Sequence, residues 1–156
     1  SSDWDLDSGD FTLELWIKFT ALPGDYACMI DHYGSTAENG IWSFNIANQS
    51  SVYKMSMWLY DGGWHEYYHP VTLTTGVWYH LAVTRQSGTM RFFQDGVLVA
   101  TDTSVTYTMT NASNVLLGIG AQSNGTRFVN GCIDEVKIIK GFAKWTSNFL
   151  PSVKAY

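Results

Sequence analysis

Residues 77–100, VWYHLAVTRQSGTMRFFQDGVLVA, decide the fold. Three short apolar runs lie here, separated by Ser87-Gly88 and Asp95-Gly96. A dipeptide such as Asp-Gly between alternating apolar runs signals a hairpin, because both central residues of the tight turn must tolerate positive φ. The stretch therefore predicts strand, turn, strand, turn, strand: an antiparallel meander. Leu81 and Val83 alternate with His80, Ala82 and Thr84, while Met90, Phe92 and Gln94 alternate with Arg91, Phe93 and Asp95. Each strand has a greasier face and a wetter one, as expected when one side of a sheet lies on a core.

The same pattern extends outward. In FTLELWIKF, Phe11, Leu13, Leu15, Ile17 and Phe19 point one way and Thr12, Glu14, Trp16 and Lys18 the other. Pro23-Gly24-Asp25 ends that run, and Tyr26 to His32 forms the next, closed by Gly34 and polar residues 35–39. Ile41 to Ala47 and Val52 to Tyr60 follow, with residues 48–51 as their turn, and Gly62-Gly63 leads into Trp64 to His69. After the meander come Leu116 to Ala121, Arg127 to Asn130 and Ile133 to Lys140. No helical period of useful length occurs. Turn signals every 8–12 or so residues predict an all-β sandwich or barrel.

Composition narrows the function classes. At 156 residues, 46% hydrophobic and 15% charged, the chain is one domain with enough apolar sequence for a proper core. Aromatic residues make up 15%, including seven Trp and nine Tyr, which is high even for a β protein. A net charge of -5 argues against a nucleic-acid partner, which needs a clustered basic patch. No apolar run approaches the roughly 18 residues of a membrane-inserting helix. The polar start, Ser1-Ser2-Asp3, suggests a piece cut from a longer protein. Cys28 and Cys132 are too few for a disulfide framework, though they could pair if their strands were adjacent. Asn48, Asn111 and Asn124 each head an Asn-x-Ser/Thr triplet, marking surface loops.

The order FTLELW, WYHLAVTRQSGTMRFFQDGVLVA, LLGIGAQ, FVNGCIDEVKIIKG resembles the laminin-G-like branch of the concanavalin A-like lectin/glucanase superfamily. The resemblance covers nearly the whole chain and implies two packed antiparallel sheets in jelly-roll topology, one of them concave. The ending GFAKWTSNF resembles variants found in viral tail and large secreted multidomain proteins. It implies an extracellular or virion-surface setting with neighbouring domains of a longer chain. Such domains usually carry one more strand before the position of Ser1.

The glucanase relatives place carboxylates as Glu-x-Asp-x-x-Glu on one concave strand, and nothing here matches that pattern. Asp134 and Glu135 are consecutive and so face opposite sides of a strand, and Glu14 stands between Thr12 and Trp16 on its face. No Gly-x-Ser-x-Gly elbow appears either, so no catalytic residues are assigned. Asp3, Asp5, Asp7 and Glu14 fall at calcium-loop spacing, but Ser8 stands where that loop needs Gly and Glu14 belongs to a strand. Asp134 is the stronger metal candidate. It shares a face with Val136 and Ile138, and an acid on an apolar face needs hydrogen bonds or a cation. Several relatives hold a structural calcium near that acid; the resemblance implies that Asp5, Asp7 or Asp10 contributes if the termini meet. The alternative is that Asp134 accepts backbone N–H groups. His32, His65, His69 and His80 lack zinc-ligand spacing on any strand.

The most suggestive local feature is the aromatic hairpin 55–69. A two-residue Gly62-Gly63 turn would set Tyr60 against His65 and Trp58 against Tyr67. Trp58, Tyr60, His65 and Tyr67 would then share one face, with Met55, Met57, Leu59 and Tyr68 on the other. A one-residue shift of the turn would exchange the faces. Exposed aromatic faces with polar tips suit stacking on sugar rings, and equally an inter-domain contact. Two functions remain open: a non-catalytic carbohydrate-binding module for a glycan or polysaccharide, or a structural spacer or adhesion module without a sugar site.

Overall fold

The strict alternation at residues 11–19 is realised in full, since Phe11, Leu13, Leu15, Ile17 and Phe19 have no exposed surface. The computed structural model describes residues 2–33, 42–109 and 115–152. These form ten strands: β1 (Phe11–Phe19), β2 (Tyr26–His32), β3 (Trp42–Gln49), β4 (Val52–Tyr60), β5 (Trp64–Pro70), β6 (Trp78–Gln86), β7 (Thr89–Gln94), β8 (Val97–Asp102), β9 (Gly118–Ile119) and β10 (Gly131–Lys140). The front sheet has the order β10-β1-β6-β7-β8 and the back sheet β5-β4-β3-β2-β9, all pairs antiparallel. The chain is therefore a two-sheet sandwich, one of the two architectures its turn pattern implies, in the jelly-roll form that the resemblance implies. Between the sheets lie β1's apolar row, Leu81, Val83, Met90 and Phe92 from the front, and Ile30, Phe44, Ile46, Met55, Met57 and Leu59 from the back.

Three tight turns hold the hairpins. Ser50-Ser51, Ser87-Gly88 and Asp95-Gly96 have positive φ at both positions, at 53° and 65°, 47° and 75°, and 52° and 78°. That is the two-residue hairpin geometry whose twist matches that of the strands. The meander at 78–102 thus forms as its dipeptides predict. Toward the C-terminus the pattern is less regular: the run at Leu116 yields only the two residues of β9, and Arg127 to Asn130 forms no strand. Its backbone is still pinned, with Cys28 and Thr20 donating to the carbonyls of Arg127 and Asn130 at 2.9 and 2.8 Å. Ile41 and Asn111 lie outside the described residues. Asn48 sits within β3, half-buried, with its amide on the Pro23 carbonyl at 3.3 Å, so it does not mark a loop.

The wetter face of the front sheet is also covered over β1 and β6. Residues 141–151 run across it as a strap, secured to β1 and β6 through Thr12 and Thr84. Thr12 Oγ1 donates to the Phe142 carbonyl, and Thr84 Oγ1 to that of Trp145, both at 2.9 Å. Trp145 and Phe149 stack at 3.7 Å, each with its edge or face against His80. Beneath them Glu14 accepts from His80 Nε2 at 3.0 Å and Lys144 Nζ at 2.9 Å. The strap crosses so close to Gly96 that a Cβ there would stand 2.0 Å from the Phe149 carbonyl oxygen.

A second internal clamp is Arg85. Its guanidinium is buried and donates to the carbonyls of Gly9, Asp7 and Tyr107 at 2.9, 2.7 and 3.1 Å. Burial pulls its pKa down to about 10, against the opposing charges of Asp10 and Asp7, so it stays charged at neutral pH. Cys28 and Cys132 do not pair: Cys28 is buried in β2 and Cys132 is exposed on β10 of the other sheet.

Two outcomes test this architecture. Gly96→Ala should cost about 2–4 kcal/mol in denaturant unfolding, combining overpacking with a left-handed Cβ; a neutral result would place the strap elsewhere. Burial alone would raise the Glu14 pKa, but the His80 and Lys144 hydrogen bonds outweigh it and hold the carboxyl below 4.5. The folded state therefore binds fewer protons than the unfolded one near that pH. The resulting stabilisation is complete above the ordinary value and is lost as pH falls through the lowered one. Glu14→Gln should flatten the decline of melting temperature below pH 4.5; parallel curves for the two proteins would contradict the network.

Candidate functional site

The loop between β4 and β5 determines what the outer face of the back sheet displays. Tyr60 pairs with Trp64, so the turn comprises three residues, Asp61-Gly62-Gly63, with Gly62 at φ 106°. Trp58 then opposes Glu66, Ser56 opposes Tyr68, and Met57 opposes Tyr67. This register corrects the face predicted from a two-residue turn. Trp58 and Tyr60 face outward as expected, but with Trp64, Glu66 and Tyr68, whereas His65 and Tyr67 point inward with the methionines. His65 stacks on Tyr107 at 3.3 Å, and Tyr67 packs against the core.

Two rows of side chains cross four strands on this outer face. One is Asp31, Ser43, Trp58 and Glu66; the other is Cys28, Asn45, Ser56 and Tyr68. A bulge between Cys28 and Ile30 lets Cys28 and Asp31 share the face despite their odd spacing. The small members form a buried polar floor. Ser43 Oγ donates to Asp31 Oδ1 at 2.6 Å, and the Ser123 N–H donates to Asp31 Oδ2 at 2.9 Å. Burial pushes the Asp31 carboxyl above its usual range, although both hydrogen bonds oppose this. Burial also pushes the Cys28 thiol up to about 12, which keeps it protonated.

Large residues rise from this floor around a cavity of about 300 Å³ lined by Tyr26, Tyr33, Trp58, Trp64, Glu66 and Arg127. The Tyr68 hydroxyl joins its walls: it accepts from Trp58 Nε1 at 3.0 Å and donates to Glu66 Oε2 at 2.8 Å, with the Tyr26 hydroxyl 3.2 Å away. Burial and these partners raise the Tyr68 pKa, so it remains a neutral donor. Tyr26 meets Trp58 edge-on at 4.8 Å, and Trp64 stacks on Tyr33 at 5.7 Å. Trp58 is 6% exposed and Trp64 is 41% exposed, so Trp64 presents the open ring and Trp58 supports the cavity. Tyr60 packs on Trp64 at 5.0 Å without lining the cavity.

Of the four aromatic-hairpin candidates, only Trp58 reaches the cavity wall. The sequence reading missed Trp64, Tyr26, Tyr33, Glu66 and Arg127. A three-residue turn would have supplied Trp64 and Glu66, but nothing in the local sequence of Arg127 points to the site.

The metal candidates are not brought together. Asp134 opposes Trp16, whereas Asp10 immediately precedes Phe11, six positions or ~20 Å away along β1. Asp134 caps its own neighbour, accepting from the Glu135 N–H at 2.8 Å beside the β1–β10 bulge. Asp7 and Asp10 flank Arg85, whose guanidinium supplies positive charge there, and Asp5 is buried in the N-terminal segment. Among the described residues no group of three His, Cys, Asp or Glu side chains comes together.

A family model described as the concanavalin A-like lectin/glucanases superfamily, of laminin G type, matches residues 1–143. A search of the curated proteins finds no match. Similar solved structures include the CBM40 module of the Ruminococcus gnavus IT-sialidase, at 14% identity and TM-score 0.71, covering 91% of this chain and 81% of that one. Domain 4 of AbnA, an extracellular arabinanase from Geobacillus stearothermophilus solved with arabinotriose, shares 20% identity at TM-score 0.64, covering 88% and 66%. Tailspike protein 2 of the Escherichia coli O157:H7 bacteriophage CAB120 shares 14% at TM-score 0.61; the match covers 89% of this chain but only 21% of the tailspike.

The wall of the cavity can be tested directly. Tyr68→Phe leaves the buried Trp58 N–H without its acceptor and should cost about 1–3 kcal/mol in denaturant unfolding. An unchanged midpoint would mean that this hydroxyl does not link Trp58 to Glu66.

Proposed function

Since the chain belongs to the concanavalin A-like lectin/glucanases superfamily, we infer that it is a non-catalytic carbohydrate-binding module whose site is the cavity on the outer face of the back sheet. The observation that carries this is the combination of an open Trp64 ring with Glu66 and Arg127 in one aromatic-walled cavity. Sugar rings have apolar C–H faces and hydroxyl rims, so a binding site needs a flat apolar surface and a few convergent polar groups. A volume of about 300 Å³ lies at the lower end of small-ligand sites, the scale of one or two sugar rings.

Absence of catalysis is supported by the lining. Glycoside hydrolysis uses two carboxyls flanking the scissile bond, and Glu66 alone among the described lining residues carries one. The carbohydrate-binding modules with similar folds favour a glycan ligand, and the arabinanase and tailspike favour an extracellular or virion-surface setting beside other domains of a longer chain. Among the described residues no helix is long and apolar enough to cross a membrane.

Glycan-array screening of the chain against its Trp64→Ala variant tests this function. Hiding roughly 60 Å² of ring face at about 25 cal/mol per Å² is worth about 1.5 kcal/mol, so the variant should lose roughly tenfold in affinity. Binding to no glycan would favour the spacer or adhesion function. Binding unaffected by Trp64→Ala would move the site elsewhere.

A further inference from the structure

Arg85 and Arg127 differ in how their donors are used. Arg85 directs its guanidinium at backbone carbonyls of the N-terminal segment and of Tyr107. Among the described residues, Arg127 donates no side-chain N–H group to a protein acceptor and makes no ion pair; its side-chain contacts are with aromatic rings. Its guanidinium instead lies 4.9 Å from the ring centroids of both Tyr26 and Trp58, in the cavity lining. An arginine held over aromatic faces is oriented without any of its five donors being consumed.

The backbone that delivers this side chain is fixed. Residues 122–126 close a tight turn in which Gln122 N–H donates to the Thr126 carbonyl and Gly125 N–H to that of Gln122, both at 2.8 Å. The Ser123 N–H ties the turn to buried Asp31. Arg127 follows with φ at 53°, a left-handed conformation that a long side chain adopts only under constraint from its surroundings. Its carbonyl accepts from the Cys28 N–H at 2.9 Å, so the residue is anchored to β2. Glu66 lines the same cavity but does not pair with Arg127; it accepts from Tyr68 instead.

We propose that the site selects glycans bearing a carboxylate, with Arg127 taking the sugar carboxylate through its planar fork while Trp64 supports the ring face and Glu66 accepts from hydroxyl or amide donors on the ring. This rests on the carbohydrate-binding function inferred above and narrows it to acidic sugars. The guanidinium matches a carboxylate bidentately, and a ligand acid satisfies donors that no described residue takes. A neutral sugar would offer Arg127 only uncharged oxygen acceptors, which make weaker hydrogen bonds to a cation than a carboxylate does.

Calorimetric titration with matched probes tests the proposal: sialyllactose against lactose, and trigalacturonate against its carboxyl-reduced form. At least one acidic probe should bind roughly tenfold or more tightly than its neutral counterpart, the scale of a hydrogen-bonded charge. Arg127→Gln should abolish that preference while leaving residual binding to the neutral probes. Arg127→Lys, which keeps a cation near the rings but loses the fork, should restore part of it. A preference for sialyllactose alone would assign the nine-carbon acids, and one for both probes would assign sugar carboxylates generally. Equal binding of acidic and neutral probes, or a preference that survives Arg127→Gln, would overturn the proposal while leaving a neutral-glycan module standing. Binding of no probe, with no hit on the glycan array, would overturn the module function itself.

Discussion

The pairing of Tyr60 with Trp64 governs the site, because a strand's side chains alternate between faces and one pairing sets all that follow. Asp61, Gly62 and Gly63 form the loop, and Gly62 takes a φ of 106° that a side chain would resist. With that register, Trp58, Trp64, Glu66 and Tyr68 face outward together, and Tyr67 and His69 turn toward the core. His69 reaches Asp102 at 2.6 Å and packs on Phe92 at 4.6 Å, linking the back sheet to the front one. A shift of one residue would therefore bury Trp64 and expose this link, so the core resists the slip as strongly as the turn does.

The two sheets divide the work. In the front sheet β1 and β6 are covered on both sides, by the core on one and by the strap with its Trp145–Phe149 stack on the other. The Glu14 carboxylate under the strap is matched by His80 and Lys144, which makes a charged group tolerable at a site with almost no solvent. The N-terminal segment is fastened to the sandwich by Arg85, whose donors are directed at the Gly9 and Asp7 carbonyls. The outer face of the back sheet is left to carry an aromatic cavity, on strands already held by the core beneath them.

The architecture was legible wherever one residue's chemistry is sufficient to decide local geometry. The alternation of Phe11 to Phe19 and the Ser87-Gly88 and Asp95-Gly96 turns announced their strands, because burial and positive φ are local demands. The site was legible only in part. Trp58 and Tyr60 could be placed on a shared face, but Gly62-Gly63 permits more than one loop length, and two glycines do not choose between them. Cys28 and Asp31 share a face only because of a bulge, which no alternation pattern announces. The strap over Thr12 and Thr84 and the arrival of Arg127 beside Tyr26 are contacts across 130, 61 and about 100 residues. Distant contacts of this kind depend on the assembled sheets, so no window of sequence contains them. The N-terminal acids illustrate the same point: the resemblance offers Asp7 and Asp10 as possible partners of Asp134, and the charge they face is that of Arg85, remote in sequence.

Electrostatics and packing act on the cavity at different ranges. The chain carries a net charge of -5, so at distances beyond the Debye length, about 8 Å at physiological salt, it offers an anion no attraction. Within the cavity the balance reverses. Arg127 lies over two rings that limit its solvation, and its nearest aromatic neighbours are locked by the Tyr68 hydroxyl rather than free to rotate. A rigid wall matters for a ligand as well hydrated as a sugar, whose exchange of water for protein contacts leaves only a modest surplus. If Trp58 and Tyr26 had to be ordered at the moment of binding, each would cost about 0.5–1.5 kcal/mol, comparable to what a stacked ring contributes. The Tyr68 network meets that cost during folding. What discriminates between ligands is then the contact with Arg127, made only after a sugar has entered, and not an attraction that draws charged polymers in from a distance.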